Sequence, residues 1–124
     1  MLSGTRRVLI VEDDFVYGRE LRTIVEELSL HPIGPIPGVR PALAVIADVP
    51  VDAALLAVRV DDGLSFPVAR ALEEHAIPYA FVTAVPGMVE AEPGMQGKPL
   101  VRKPFRAERI AAALSKCGLP VVGS

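Results

Sequence analysis

Two adjacent carboxylates, a threonine and a lysine, each following a short apolar run, are the residues of this chain best placed to do chemistry. Val8-Leu9-Ile10-Val11 leads into Glu12-Asp13, Phe81-Val82 into Thr83, and Leu100-Val101-Arg102 into Lys103. Side-by-side carboxylates repel unless a cation sits between them, a hydroxyl can hydrogen-bond a phosphoryl oxygen, and a lysine can neutralise one. Together they describe a magnesium-dependent phosphoryl site, provided the runs are strands of one parallel sheet, because ligands of such sheets bind outside the carboxyl ends of the strands. A further run, Ala53-Ala54-Leu55-Leu56, ends on Ala57, where a third acid would complete the site. A methyl group has no lone pairs, so this position can neither attack phosphorus nor ligate a metal.

The elements that must position these residues are legible in the pattern. The chain has 124 residues, enough for one domain with a continuous core, and is 51% hydrophobic but only 5% aromatic, with no Trp. A core of Val, Leu, Ile and Ala suits a buried parallel sheet. Strand-like and helix-like segments alternate from end to end, the signature of a βα-repeated sheet covered on both faces. Arg7 to Val11 predicts a buried strand, followed by a helix with Asp14 as N-cap and Phe15, Leu21, Ile24, Val25 and Leu28 as its apolar stripe. The proline-punctuated segment around Ile33 and Ile36 predicts an edge strand. Pro41 suits the first turn of a short helix through Ala47. After the run that ends at Ala57, Gly63 closes a loop, and Phe66, Ala69, Leu72 and Ala76 mark a helix to about His75. Tyr79 to Thr83 is the next strand. Pro86, Gly87, Pro93, Gly94 and Gly97 argue against a full helix before Leu100 and predict one short turn or a mobile loop. Leu100 to Arg102 is the last strand, Ile110, Ala113 and Leu114 mark a terminal helix begun near Arg106, and Leu119 to Ser124 reads as a loosely attached tail.

A net charge of -2 gives no global electrostatic reason to expect nucleic acid or an anionic membrane as partner. The single cysteine, Cys117, has no internal disulfide partner and reads as a packing residue, and no long apolar segment opens the chain, so a reducing cytoplasmic location is expected. His31 and His75 have no metal-ligand company. Asp61 and Asp62 lie four and five residues beyond Ala57, a stretch that can span up to ~13 Å, and the Asp-Asp-Gly pattern is better explained by turn chemistry than by a substitute phosphoacceptor.

Taken in order, Val8-Leu9-Ile10-Val11-Glu12-Asp13-Asp14, Asp52-Ala53-Ala54-Leu55-Leu56, Phe81-Val82-Thr83 and Lys103-Pro104-Phe105 resemble the receiver domain of bacterial two-component response regulators, the CheY-like family. The resemblance covers residues 6 to 117 within one domain of 1 to 124. It implies a flavodoxin-like, three-layer, doubly wound α/β fold with a five-stranded parallel sheet in the order 2-1-3-4-5 and a short or disordered fourth helix. It further implies that Glu12 and Asp13 belong to the acidic metal pocket, that Thr83 is the switch hydroxyl, that Lys103 contacts the phosphoryl group, and that Lys103-Pro104 carries a cis peptide bond. The slot of the phosphorylated aspartate falls on Ala57. Arg59 stands where many receivers have Asn. The stretch Phe81-Val82-Thr83-Ala84-Val85-Pro86 is similar to a subgroup whose fourth strand reads Phe-Ala-Thr-Gly-apolar-Tyr, with Ala84 and Pro86 replacing the Gly and the aromatic switch residue.

The resulting expectation is a non-enzymatic receiver that lacks its phosphoacceptor and works as a phosphorylation-independent interaction or adaptor module. Its cofactor would be none, or weakly bound Mg2+, with Lys103 and Arg59 as counter-charges for Glu12 and Asp13. Its partners would be signalling proteins, a histidine kinase or a downstream target, or a second copy, met through Leu100, Val101, Arg102 and Phe105 on the last strand and terminal helix. Val85, Met88 and Met95 would add exposed apolar contacts. With no second domain read after residue 118, output is expected to pass to a separate protein. Two alternatives stand beside this: an ordinary phosphorylatable receiver in which Ala57 replaces the acceptor, and an unrelated flavodoxin-like binding module. The latter lacks a Gly-rich phosphate loop after the first strand.

Overall fold

Val8, Leu9, Ile10 and Val11 are wholly shielded from water, as an unbroken apolar run must be when both faces of its strand are covered. In the computed structural model, which describes residues 5–121, this run is β1 (Arg7–Val11), the second strand of a five-stranded parallel sheet. It is followed by α1 (Phe15–Glu27), β2 (His31–Ile36), α2 (Val39–Asp48) and β3 (Ala53–Leu56). Two short strands, β4 (Arg59–Val60) and β5 (Gly63–Leu64), then pair antiparallel as a small hairpin. The chain continues through α3 (Phe66–Glu74), β6 (Tyr79–Thr83), α4 (Pro86–Ala91), β7 (Leu100–Arg102) and α5 (Ala107–Lys116). The sheet order β2-β1-β3-β6-β7 is the expected 2-1-3-4-5 once the hairpin is set aside.

Alternation along the strands divides the core in two. Val8, Ile10, Leu55 and Val82 pack with Leu21, Ile24 and Val25 of α1 and Ile110 and Leu114 of α5. Leu9, Val11, Leu56 and Phe81 pack on the other face with Ala42 and Ile46 of α2 and Phe66 and Leu72 of α3. Each such side chain contributes roughly 1.5–3 kcal/mol of transfer free energy. β2 is at an edge, where its prolines leave no ladder bond unmade in the interior.

Several local expectations need correction. Phe15 is 76% exposed rather than part of the α1 stripe, because the helix begins at that residue and its first turn lies beyond the sheet. Ala76 lies past α3 with φ 56° and is exposed, so that stripe ends at Leu72. The breaker-rich segment holds one short helix of six residues, α4, with Pro86 at its start, in keeping with the expected short fourth helix. Met95 is buried beside Tyr79 and Met88 is half-buried, leaving Val85 as the exposed apolar residue there. Leu119 is buried in the α1–α5 core and donates its N–H to Leu114, so the tail is attached at least to that point; residues 122–124 lie outside those described. Cys117 is buried as expected, and burial pushes its thiol up.

Asp62 does more than turn the chain. Its Oδ1 accepts the Val39 N–H at 2.6 Å and its Oδ2 the Arg40 N–H at 3.1 Å, while Asp61 N–H donates to Pro37 O at 3.0 Å. The N-cap of α2 is Gly38, which has no side chain to cap with, and Asp62 supplies the missing acceptor from the hairpin. A Cβ on Gly38 would meet Asp62 Oδ1 at 2.8 Å, so the glycine makes room for the carboxylate.

Candidate functional site

The carboxyl ends of β1, β3, β6 and β7 converge, and this places Glu12, Ala57, Thr83 and Lys103 at one end of the sheet. Backbone bonds carry the convergence one residue past the ladders: Ala57 N–H donates to Val11 O at 2.8 Å, Glu12 N–H to Ile36 O at 2.9 Å, and Lys103 N–H to Thr83 O at 2.9 Å.

Glu12 has a side chain only 1% exposed, and Lys103 one only 12% exposed. Lys103 Nζ lies 2.5 Å from Glu12 Oε1, as an ion pair close in distance but without the alignment of a well-directed hydrogen bond. Glu12 Oε2 accepts the Asp14 N–H at 3.1 Å. Both oxygens of the buried carboxylate are therefore engaged. Asp13 is exposed and Lys103 balances Glu12 alone, which corrects the expectation that it serves both acids.

Arg59 does not join them. It is exposed, it pairs with Leu64 in the hairpin ladder, and among the described residues it forms no ion pair with either acid. The reason is local: β4 leaves the main sheet immediately after Val58, drawn towards the start of α2 by Asp61 and Asp62.

Thr83 is buried, and its Oγ1 accepts the Val85 N–H at 3.0 Å, fastening the turn into α4. Ala57 is 3% exposed, so the end of β3 presents only packed backbone and a methyl group. Ser65, at the N-cap of α3, is fully buried with a hydroxyl that has no partner among the described residues, while its N–H donates to Val58 O at 2.8 Å. Lys103-Pro104 is a cis peptide, with Pro104 exposed. Gly34-Pro35 is a second cis peptide, and Arg22 Nη1 donates to Gly34 O at 2.6 Å.

Sequence reasoning missed Tyr17. Lys103 Nζ stands 4.5 Å from the centroid of the Tyr17 ring, and that ring lies 5.6 Å from Phe105. The lysine is thus held between a carboxylate and an aromatic face. Asp14 sets this up by accepting the Tyr17 N–H at its Oδ1, 2.9 Å away, as N-cap of α1. Gly18 lets α1 settle: a Cβ there would meet Pro35 at 2.9 Å and Glu12 Cγ at 3.6 Å. The available signal was an aromatic in the first turn of a helix that opens on the acid pair.

Among the described residues no three His, Cys, Asp or Glu side chains group as a metal site, and no helix is long and apolar enough to cross a membrane. Leu100, Val101, Arg102 and Phe105 line one concavity with Pro104, Arg106 and Arg109 at the β7 edge of the sheet.

A doubly wound sheet of this order with acid, hydroxyl and lysine at its carboxyl end defines the receiver class. The solution structure of SdrG from Sphingomonas melonis Fr1 is 33% identical to this chain, aligns over 95% of it and 100% of SdrG, and superposes with a TM-score of 0.79. The receiver domain of PhyR from Erythrobacter litoralis has a TM-score of 0.82 at 24% identity over 98% of this chain and 95% of that one. PhyR from Brucella abortus, a response regulator, is 26% identical over 92% of this chain but 48% of its own, with a TM-score of 0.79. No family model and no curated protein matches. The chain belongs to the CheY-like response regulator receiver domains.

Proposed function

We propose that this receiver domain signals without being phosphorylated, acting as a constitutive interaction module for other proteins of two-component signalling. The observation that carries the reading is Lys103 already paired with Glu12 at the end of the sheet where Ala57 stands in the position that the resemblance gives the acceptor. In a working receiver a carboxylate attacks phosphorus and the lysine and threonine then reposition around the new group. Here a methyl group stands in place of a nucleophile, the lysine is neutralised by Glu12, and Thr83 Oγ1 is engaged with Val85 N–H.

The residues present do not suit a resident Mg2+. That ion favours near-octahedral oxygen ligation, whereas Glu12 Oε1 is held by Lys103, Glu12 Oε2 by the Asp14 amide, and Asp13 is exposed at the surface. The ammonium occupies the electrostatic role of the ion, supporting a domain held in one state.

The test is incubation with acetyl phosphate and Mg2+, read by intact mass and by amide chemical shifts. The expected result is no mass gain and no shift around Thr83, Val85 and α4. A phosphorylated species, or Mg2+-dependent shifts at Glu12 and Asp13 at millimolar concentration, would overturn the reading. An Ala57→Asp variant that phosphorylates readily would show that Arg59, Ala84 and Pro86 tolerate the ordinary chemistry and that Ala57 alone blocks it.

A further inference from the structure

Arg59 and Asp61 follow the site closely in sequence but take no part in it, and the β4–β5 hairpin holds both at the surface. Arg59 stands opposite Leu64 in the ladder, so their side chains share one face, and with Val60 only 7% exposed that face is the outward one. Leu64 is 39% exposed, unlike the leucines of the core. The two acids of the turn differ. Asp62 is committed to the Val39 and Arg40 amides, whereas Asp61 is exposed, and among the described residues neither Arg59 nor Asp61 forms an ion pair. Leu64 also borders a concavity with Val39 and Pro67, at the starts of α2 and α3. β4 and β5 pair only with each other, which leaves each with an edge that no strand covers.

One unpaired guanidinium, one unpaired carboxylate and one exposed leucine on a single small face are complementary to the same three groups on a second copy. From this juxtaposition we propose that two copies of the chain associate through their hairpins about a two-fold axis, Arg59 of each meeting Asp61 of the other and each Leu64 seated in the other copy's recess between Val39 and Pro67. Under two-fold symmetry every contact occurs twice, which suits a face carrying one charge of each sign. A partner of uniform charge would satisfy one of the two and oppose the other. The hairpin is short, so the contact belongs to the small, transient interfaces, with a Kd on the order of 0.1 mM. This face is distinct from the last strand and terminal helix, and it uses none of Glu12, Thr83 or Lys103, so the association stands or falls apart from the phosphorylation-independent reading.

Sedimentation velocity and amide spectra of the whole chain, from about 10 μM to about 1 mM, test it. The expected result is a sedimentation coefficient that rises with concentration, with shifts gathered at residues 59–64 and at Val39. Arg59→Asp and Asp61→Arg should each weaken association about tenfold or more, because each turns two attractions into two repulsions. Mixed in equal amounts, the two variants should associate again, since both charge contacts of the mixed pair join an acid to an arginine. The exchange Arg59→Asp/Asp61→Arg should likewise restore self-association within one chain. Rescue by mixing shows that each single variant is folded. Leu64→Ala should weaken the contact, and Arg19→Glu, on the exposed face of α1, should leave it unchanged. A chain that stays monomeric at about 1 mM, shifts gathered on β7 and α5 instead, single variants that associate as well as the wild type, or a loss that mixing does not repair would each overturn the proposal.

Discussion

Lys103 Nζ and Glu12 Oε1, contributed by residues 91 positions apart in the chain, meet at 2.5 Å with both side chains nearly sealed from water. Removing one member of such a pair leaves an uncompensated buried charge, which costs more than the pair itself contributes. Lys103→Met keeps much of the stem against Tyr17 and abandons Glu12, so it should lose about 3–5 kcal/mol in urea unfolding. Adding Glu12→Gln should restore part of that loss, giving a coupling above about 1 kcal/mol in the double-mutant cycle. Additive effects would mean that the ammonium is not the counter-charge.

A second charged cluster sits at the opposite end of the sheet. Tyr79 OH donates to Glu73 Oε2 at 2.5 Å, and Lys98 Nζ lies 3.0 Å from the same oxygen. The Tyr79 hydroxyl, then Lys98, hold the Glu73 carboxyl below its ordinary 4.5. A lowered carboxyl pKa contributes stability above the unfolded value, lost as pH falls through the folded one, so this cluster should weaken below about pH 4.5. Burial, then the hydrogen bond from Tyr79 to Glu73, raise the phenol above its ordinary 10.0; that contribution is complete below pH 10.0 and is lost as pH climbs further. Tyr79→Phe should cost about 1 kcal/mol at neutral pH, flatten the acid limb and remove the alkaline loss. Unfolding curves across pH provide the check.

How far such contacts could be read beforehand depends on their range. The strands were legible because fully buried parallel strands are short apolar runs, and Val8 to Val11, Ala53 to Leu56 and Tyr79 to Thr83 have few other solutions. The convergence of Glu12, Ala57, Thr83 and Lys103 followed from topology alone. Partner choice did not. That Lys103 would take Glu12 and leave Asp13, that Tyr17 would close over it, and that Arg59 would depart with the hairpin are decided by packing between distant segments, which no local pattern encodes. The burial of Met95 and the exposure of Phe15 reversed the reading for the same reason, since hydrophobicity states what would gain from burial without stating what is there to cover it.

Asp62 and Gly38 form a cap made of two residues far apart in sequence, and the structure sets equal outcomes for two different variants. Asp62→Ala removes the acceptors of the Val39 and Arg40 amides, and Gly38→Ala drives a Cβ to 2.8 Å from Asp62 Oδ1. Either should speed hydrogen exchange at both amides and loosen the β4–β5 hairpin, with the sheet amides unchanged. The backbone bonds to Val39, then Arg40, hold the Asp62 carboxyl below its ordinary 3.8, so wild-type protection at these amides should persist at neutral pH and fade only below about pH 3.8. Protection that survives in Gly38→Ala would show that the loop can shift and keep the cap.

Placing an acid at position 57 provides the decisive contrast for the site. Leu56 pairs with Val11 across β3 and β1, so a carboxylate at 57 stands beside Glu12, in a slot where Ala57 is 3% exposed. Two neighbouring acids and one lysine leave a net negative charge in a place with little water, and Ala57→Asp should lose on the order of 3 kcal/mol when divalent ions are absent. The introduced carboxylate, with Glu12 and Asp13, then approaches what Mg2+ requires, and binding to the folded state alone stabilises by about 2.7 kcal/mol at a hundredfold excess over Kd. Thermal unfolding with and without Mg2+ should therefore show rescue in Ala57→Asp and none in the wild-type chain. If Mg2+ stabilises both equally, Glu12 and Asp13 suffice to hold the ion, and Lys103 must leave Glu12 to let it in.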